Sequence, residues 1–277
     1  MTEIPSTERI FALSAFEGVR LIRLYAIKQP GCSIAELVDI IEKVEPDGAS
    51  LDMQASAYLH ELVDLACPLD GDVFYQACIS AVVTKHQPNW SKAMRQGRMR
   101  FLDSLGINDR DIFAAAGLQQ DPPPPHVVAW WDSVSCFARL IVDLQKMEQA
   151  RAAEQLTMDY EIKRLGALGI TKAPIWKGLD DNFAGYDVLS YDPGPFGLVN
   201  RLIEVKSTVS SPLRFYLTRN EWEQALKAGA AYIFHVWDMT KTPAILHIRD
   251  ASKISVHIPT DNEKGKWSTA EIPLAAS

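Results

Sequence analysis

No stretch of this sequence stays apolar for the roughly 18 residues that a bilayer-spanning helix requires, so no membrane partner is expected. The opening MTEIPSTERIF lacks the basic start and apolar stretch of a secretory signal, and a cytoplasmic location is expected. Cysteine is scarce. The four present, Cys32, Cys67, Cys78 and Cys136, form no C-x-x-C pair, which argues against a zinc cluster or a disulfide framework and predicts buried free thiols. No P-loop, G-x-G-x-x-G or G-x-S-x-G occurs, so nucleotide-cradling loops and serine hydrolases have no support, and any ATP energy must come from a partner. Net positive charge is also missing. At −7 the chain cannot coat nucleic acid by bulk electrostatics, but the acidity is uneven: residues 1–150 carry 13 Lys+Arg against 20 Asp+Glu, and residues 151–277 carry 15 against 15.

What is present is a globular composition. With 277 residues, 47% hydrophobic and 23% charged, the chain can bury a full core and is long enough for two domains. The first half reads as helices. Apolar residues from Ile10 to Ala26 recur at three and four, and Ser33 with Glu36 forms a capping box ahead of Ile34, Leu37, Val38 and Ile41. Further helices are predicted over 52–66 and 72–85. Lys92, Arg95 and Arg98, with Arg100, form a basic cluster on one predicted helical face; it can contact nucleic-acid phosphates or be a solvated or partner-facing surface. Pro122 to Pro125 predict a stiff extended connector, followed by one or two long helices linking the halves.

From about residue 170 the pattern changes to strands. Five are predicted, at 186–191, 198–206, 214–217, 230–237 and 245–248, with Asp192 to Pro195 as a turn. One short helix lies between the third and fourth, opened by a Thr218/Glu221 capping box and closed by Gly229. The expected fold class is α+β. A helical domain (1–120) precedes a connector and linking helix (121–147) and a helix-first domain with a mixed sheet (148–277).

The chemistry concentrates between Gly185-Tyr186-Asp187 and Ile203-Glu204-Val205-Lys206-Ser207. Residues two apart on a strand share a face, so Glu204 and Lys206 are presented together, with Ile203 and Val205 opposite. A hairpin would bring Asp187 near Glu204. Two close carboxylates repel, and a hard cation such as Mg²⁺ or Mn²⁺ relieves this by taking oxygen ligands from both. Taken alone, Glu-x-Lys on a strand is an ordinary surface ion pair.

Asp187 followed by Glu204-Val205-Lys206 resembles the PD-(D/E)xK phosphodiesterase signature. More specifically, ARAAEQLTMDYEIKRLGALG, GYDVLSY, LIEVKST and FYLTRNEWEQALKAGAAYIFHVW, in that order over residues 150–240, resemble the nuclease-like domain named after the C-terminus of NO VEIN proteins. The resemblance implies a restriction-endonuclease-like core: a helix, a mixed sheet with the active site on its second and third strands, and a second helix covering the sheet. It implies Asp187 and Glu204 as metal holders, Lys206 serving the attacking water, and a glutamate from the first helix, Glu154 ahead of Glu161. Ala150-Arg151 stands where glycine-arginine is usual. Gln224 and Ser207 are secondary candidates. Thr208 either contacts phosphate or ends the strand, Glu221 is read as a cap and not a ligand, and His235 and His247 as packed histidines.

The reading that follows is a Mg²⁺- or Mn²⁺-dependent endonuclease, acting on DNA before RNA, with a defence or restriction role expected from the resemblance. The alternative is a non-catalytic adaptor on a nuclease-like fold. Implied partners are nucleic acid and a protein docking on the helical half, with a homodimer left open.

Overall fold

The computed structural model describes residues 4–181, 184–261, 263 and 265–274. The chain divides into two compact units, residues 1–144 and 145–277. The first is helical: α1 (Thr7–Ile10), α2 (Leu13–Lys28), α3 (Ile34–Val44), α4 (Met53–Leu62), α5 (Asp72–His86), α6 (Arg98–Ser104), α7 (Ile107–Ala115) and the start of α8 (Pro125–Ala167). The capping box at α3 forms in full, with Ser33 Oγ accepting from Glu36 N–H and the Glu36 carboxylate accepting from Ser33 N–H. Phe11, Phe16, Phe74, Phe101 and Phe113 make the aromatic centre of the larger core, and Val127, Trp131, Val134 and Ala138 of α8 pack into it. The segment read as a connector therefore contributes core side chains to the helical unit. Pro125 opens α8, where its missing N–H leaves no bond unmade, instead of continuing an extended run.

Two further expectations are corrected here. Lys92 and Arg95 lie in a 3-10 segment (Asn89–Gln96), whereas Arg98 opens α6 beyond Gly97, so the three do not share one α-helical face. Only Cys78 of the four free cysteines is buried; Cys136 is exposed, because its place on α8 turns away from the core.

The second unit is built on a mixed sheet in the order β1-β2-β3-β5-β6, from β1 (Ile175–Trp176), β2 (Val188–Gly194), β3 (Gly197–Thr208), β5 (Tyr232–Asp238) and β6 (Ile245–Asp250). β2 and β3 are antiparallel, and β3 and β5 are parallel. The crossover from β3 to β5 runs through β4 (Arg214–Thr218) and α10 (Arg219–Ala228). The resemblance implied a helix, a mixed sheet and a second helix covering it, and the unit has these parts; the strand directions and the crossover come from the structure alone. Two short helices, α9 (Lys177–Asp180) and α11 (Ala251–Ser255), complete the unit.

The two faces of β3 feed separate cores. Ile203 and Val205 pack with Ala153, Val188 and Trp237 on the α8 side. Opposite them, Leu202 joins Trp222, Ala225, Tyr232, Phe234 and Val236 around α10.

β4 does not enter the main sheet. It pairs antiparallel with β7 (Thr269–Pro273), a strand too short and polar in its alternation to be read from sequence, and Phe215 and Leu217 meet Ala270 and Ile272 in the α10-side core. The expected turn also moves. Asp192, Pro193 and Gly194 stay in β2 and Gly194 pairs with Gly197, leaving Pro195-Phe196 as a two-residue turn. Pro193 is tolerated because β1 flanks β2 only at Val188 and Leu189, so no partner asks for the missing N–H.

Candidate active site

Asp187 is held at the mouth of the β2–β3 hairpin. Its N–H donates to Ile203 O at 2.9 Å, and its carbonyl accepts from Gly178 N–H at 2.8 Å. Because β2 pairing starts one residue later, Val205 N–H is left without a strand partner on that side and donates to Asp187 Oδ2 at 2.8 Å. Burial pushes the Asp187 carboxyl up to about 6; the Val205 N–H works against that, and the Glu154 charge adds to it.

Glu204, on the α10 side of β3, is buried. Lys206 Nζ lies 2.8 Å from Glu204 Oε1, and the Tyr232 hydroxyl lies 3.1 Å from Glu204 Oε2 and 2.8 Å from Gly185 O. Burial drives Glu204 above the ordinary carboxylate range, opposed by Lys206 and reinforced by Asp187 and Glu221. For Lys206, burial disfavours the ammonium, but Glu204 and Glu221 outweigh it and hold the group charged.

Glu221 has two tasks. As the third residue of α10 it completes the capping box, its Oε2 accepting from Thr218 N–H at 2.9 Å. The same oxygen lies 2.8 Å from Lys206 Nζ. The sequence reading stopped at the cap, yet a carboxylate oxygen can accept more than one bond, and α10 crosses the face on which Lys206 projects.

From α8 comes Glu154, buried, its Oε2 paired with Arg151 Nη1 at 2.8 Å and with Trp176 Nε1. Arg151 Nη1 also donates to Gly178 O at 2.9 Å. Gly178 matters for space. A Cβ there would stand 2.9 Å from Asp187 Oδ1 and 3.3 Å from Glu154 Oε2, so both carboxylates reach over the same glycine. Arg151, Glu154, Asp187, Glu204 and Glu221 together line a cleft of about 210 Å³.

Glu161, two helical turns beyond Glu154, is elsewhere. It is fully buried, 2.7 Å from Arg164, and accepts from Ser190 Oγ at 2.6 Å, with Arg201 and His235 at 3.9 and 3.8 Å. His235 is fully enclosed and both ring nitrogens lack a hydrogen-bond partner; burial pushes it down to about 3, so it is neutral. His247 sits half-buried on β6. Gln224 packs against Gly185, where an added Cβ would meet its Cγ at 2.9 Å. Ser207 lies on the opposite face of β3 from Lys206 and accepts from Gln149 of α8 at 2.9 Å. Thr208 Oγ1 accepts from Ser210 N–H at 3.2 Å where β3 ends.

In the helical unit, Arg98 is engaged with the carbonyls of Leu118 and Gln120 at 3.0 and 2.7 Å. Lys92 and Arg95 are exposed. Among the described residues, no three His, Cys, Asp or Glu side chains are gathered as a ready-made metal-ligand set, and no helix is long and apolar enough to cross a membrane.

No curated protein and no solved structure matches the chain. A family match does exist, and it takes in Glu154, Asp187, Glu204, Lys206 and Glu221 while leaving the helical unit outside: residues 153–248 match the family described as Protein NO VEIN, C-terminal.

Proposed function

We propose that this protein is a divalent-metal-dependent nuclease that hydrolyses phosphodiester bonds in DNA, with a role in defence or restriction. The observation that carries this reading is the cleft itself: the carboxylates of Glu154, Asp187, Glu204 and Glu221 and the Arg151 guanidinium, brought together from α8, β3, α10 and the residue before β2, with the Lys206 ammonium paired to Glu204 and Glu221 behind the lining. A hard cation fits the donor set. Asp187 Oδ1 and Glu154 Oε2 flank the space above Gly178, and carboxylate oxygens are what Mg²⁺ and Mn²⁺ take. Asp187 and Glu154 would hold the ion, and Glu204, tied here to Lys206 and Tyr232, would have to turn toward it to serve as a further oxygen donor. When bound, such an ion supplies Lewis-acid polarisation of the phosphodiester and acidifies a water.

The remaining work falls to the chain's own groups. Lys206 orients the attacking water and offsets the charge that grows on the phosphoryl oxygens. Arg151 gives the cleft wall a guanidinium suited to a phosphate oxygen. The helical unit supplies docking or target selection.

The test is cleavage by the full chain with Mg²⁺ or Mn²⁺ on supercoiled, linear and single-stranded DNA and on RNA, with Lys206→Ala alongside. Metal-dependent cutting of DNA that Lys206→Ala slows is the expected result. Cutting that persists in EDTA, or in the Asp187→Asn/Glu204→Gln double variant, would place the chemistry elsewhere. A chain that cuts nothing and binds no Mn²⁺ by calorimetry would instead be an adaptor.

A further inference from the structure

We infer that Glu221 is the positioning residue for Lys206, one carboxylate oxygen fastening the N-terminus of the crossover helix to the ammonium of the site. The inference rests on the nuclease reading and names a residue whose sequence context announces only a helix cap.

A lysine carries four rotatable carbon bonds, and a single ionic partner leaves its ammonium a wide arc to explore. Glu204 is on the same strand two residues away, so it fixes Lys206 from one side only. The second point comes from another element. Glu221 Oε2 meets Lys206 Nζ at 2.8 Å while accepting from Thr218 N–H at 2.9 Å, so the carboxylate is itself held by the backbone of the α10 cap. That anchoring is local, since Thr218 Oγ1 accepts from Glu221 N–H at 3.4 Å and an acidic side chain is favoured in the first turn of a helix. Glu204 is braced in turn by Tyr232 of β5. Lys206 thus stands between two carboxylates fixed by two different elements, and its side chain is largely shielded from solvent. A group that must meet a water or a phosphoryl oxygen in one geometry gains rate from such fixing without gaining substrate affinity.

The discriminating variant is Glu221→Gln. Glutamine still completes a capping box, so the helix start survives while the charge that holds Lys206 is removed. We expect kcat to fall by about tenfold or more with KM within about twofold, the pattern of a group acting only in the transition state. In the Lys206→Ala background the same substitution should leave the residual rate unchanged, because a residue acting through Lys206 has nothing left to position. Acylation of Lys206 by an amine-reactive ester, read by mass spectrometry, should be faster in Glu221→Gln than in the wild type. Equal kcat and equal labelling in the two proteins would overturn the inference, as would an equal rate loss in both backgrounds, which marks a purely structural role. A wild type that cuts nothing overturns the nuclease reading instead, and the labelling comparison then decides alone whether Glu221 holds Lys206.

Discussion

The carboxylate of Asp187 accepts the backbone N–H of Val205 at 2.8 Å, so the side chain that closes one strand completes the ladder of its neighbour. Asparagine can accept the same bond without the charge. Asp187→Asn should therefore fold with a Tm close to wild type yet lose Mn²⁺ binding in calorimetry. Asp187→Ala should be less stable by about 1–3 kcal/mol, because a buried N–H is left unsatisfied. Equal urea midpoints for the two variants would contradict this.

Gly178→Ala tests the space above the cleft. The added methyl meets Asp187 Oδ1 at 2.9 Å, closer than real Cβ atoms approach, and Glu154 Oε2 at 3.3 Å. The carboxylates must part. Mn²⁺ affinity should drop by about tenfold or more, and the urea midpoint should fall as well, because the methyl also meets the Asp187 backbone at 3.3 Å and disturbs the carboxylate that accepts from Val205 N–H. Unchanged Mn²⁺ affinity would show that these two oxygens do not share an ion.

His235 makes stability depend on pH. Its surroundings are the buried Glu161, the guanidinium groups of Arg164 and Arg201, and the ring of Tyr160, and its folded pKa is pushed down to about 3. The unfolded chain takes up the proton first, near 6.5, so this contribution to stability is full above that value and shrinks as the pH falls toward 3. The slope has a ceiling of about 1.4 kcal/mol per pH unit. His235→Phe should flatten the wild-type loss of urea stability between pH 6.5 and 5, and parallel curves for the two proteins would count against it.

Thiol labelling should separate the cysteines. Cys136 is exposed, whereas burial pushes the Cys78 thiol up to about 12. In native protein at pH 7.5, maleimide should modify Cys136 and spare Cys78 until denaturant is added. Early modification of Cys78 would mean that α5 opens readily.

Local signals in the chain announced much of this architecture. The alternation around Glu204 places Ile203 and Val205 in one core and Lys206 away from it, and the Thr218/Glu221 spacing marks the start of α10. What stayed hidden depended on tertiary pairing. β7 is legible only once β4 is in place to meet Ala270 and Ile272. Glu221 has identical local credentials whether or not a lysine lies beneath the helix. Glu154 and Glu161 share a helical face, and only the elements they meet, Trp176 and Arg151 for one and Ser190 and Arg164 for the other, distinguish them. Gly178 carries no motif at all.

The separation of β3 into two independently packed faces sets how this domain can change. Ile203 and Val205 are constrained by the fit against α8, while Leu202, Glu204 and Lys206 answer to α10 and the strand beside them. Substitutions on the chemical face need not disturb the packing face. A lineage can therefore retune or silence the cleft by exchanging Glu204 and Lys206 together while the Ile203 and Val205 contacts on the α8 side stay as they are.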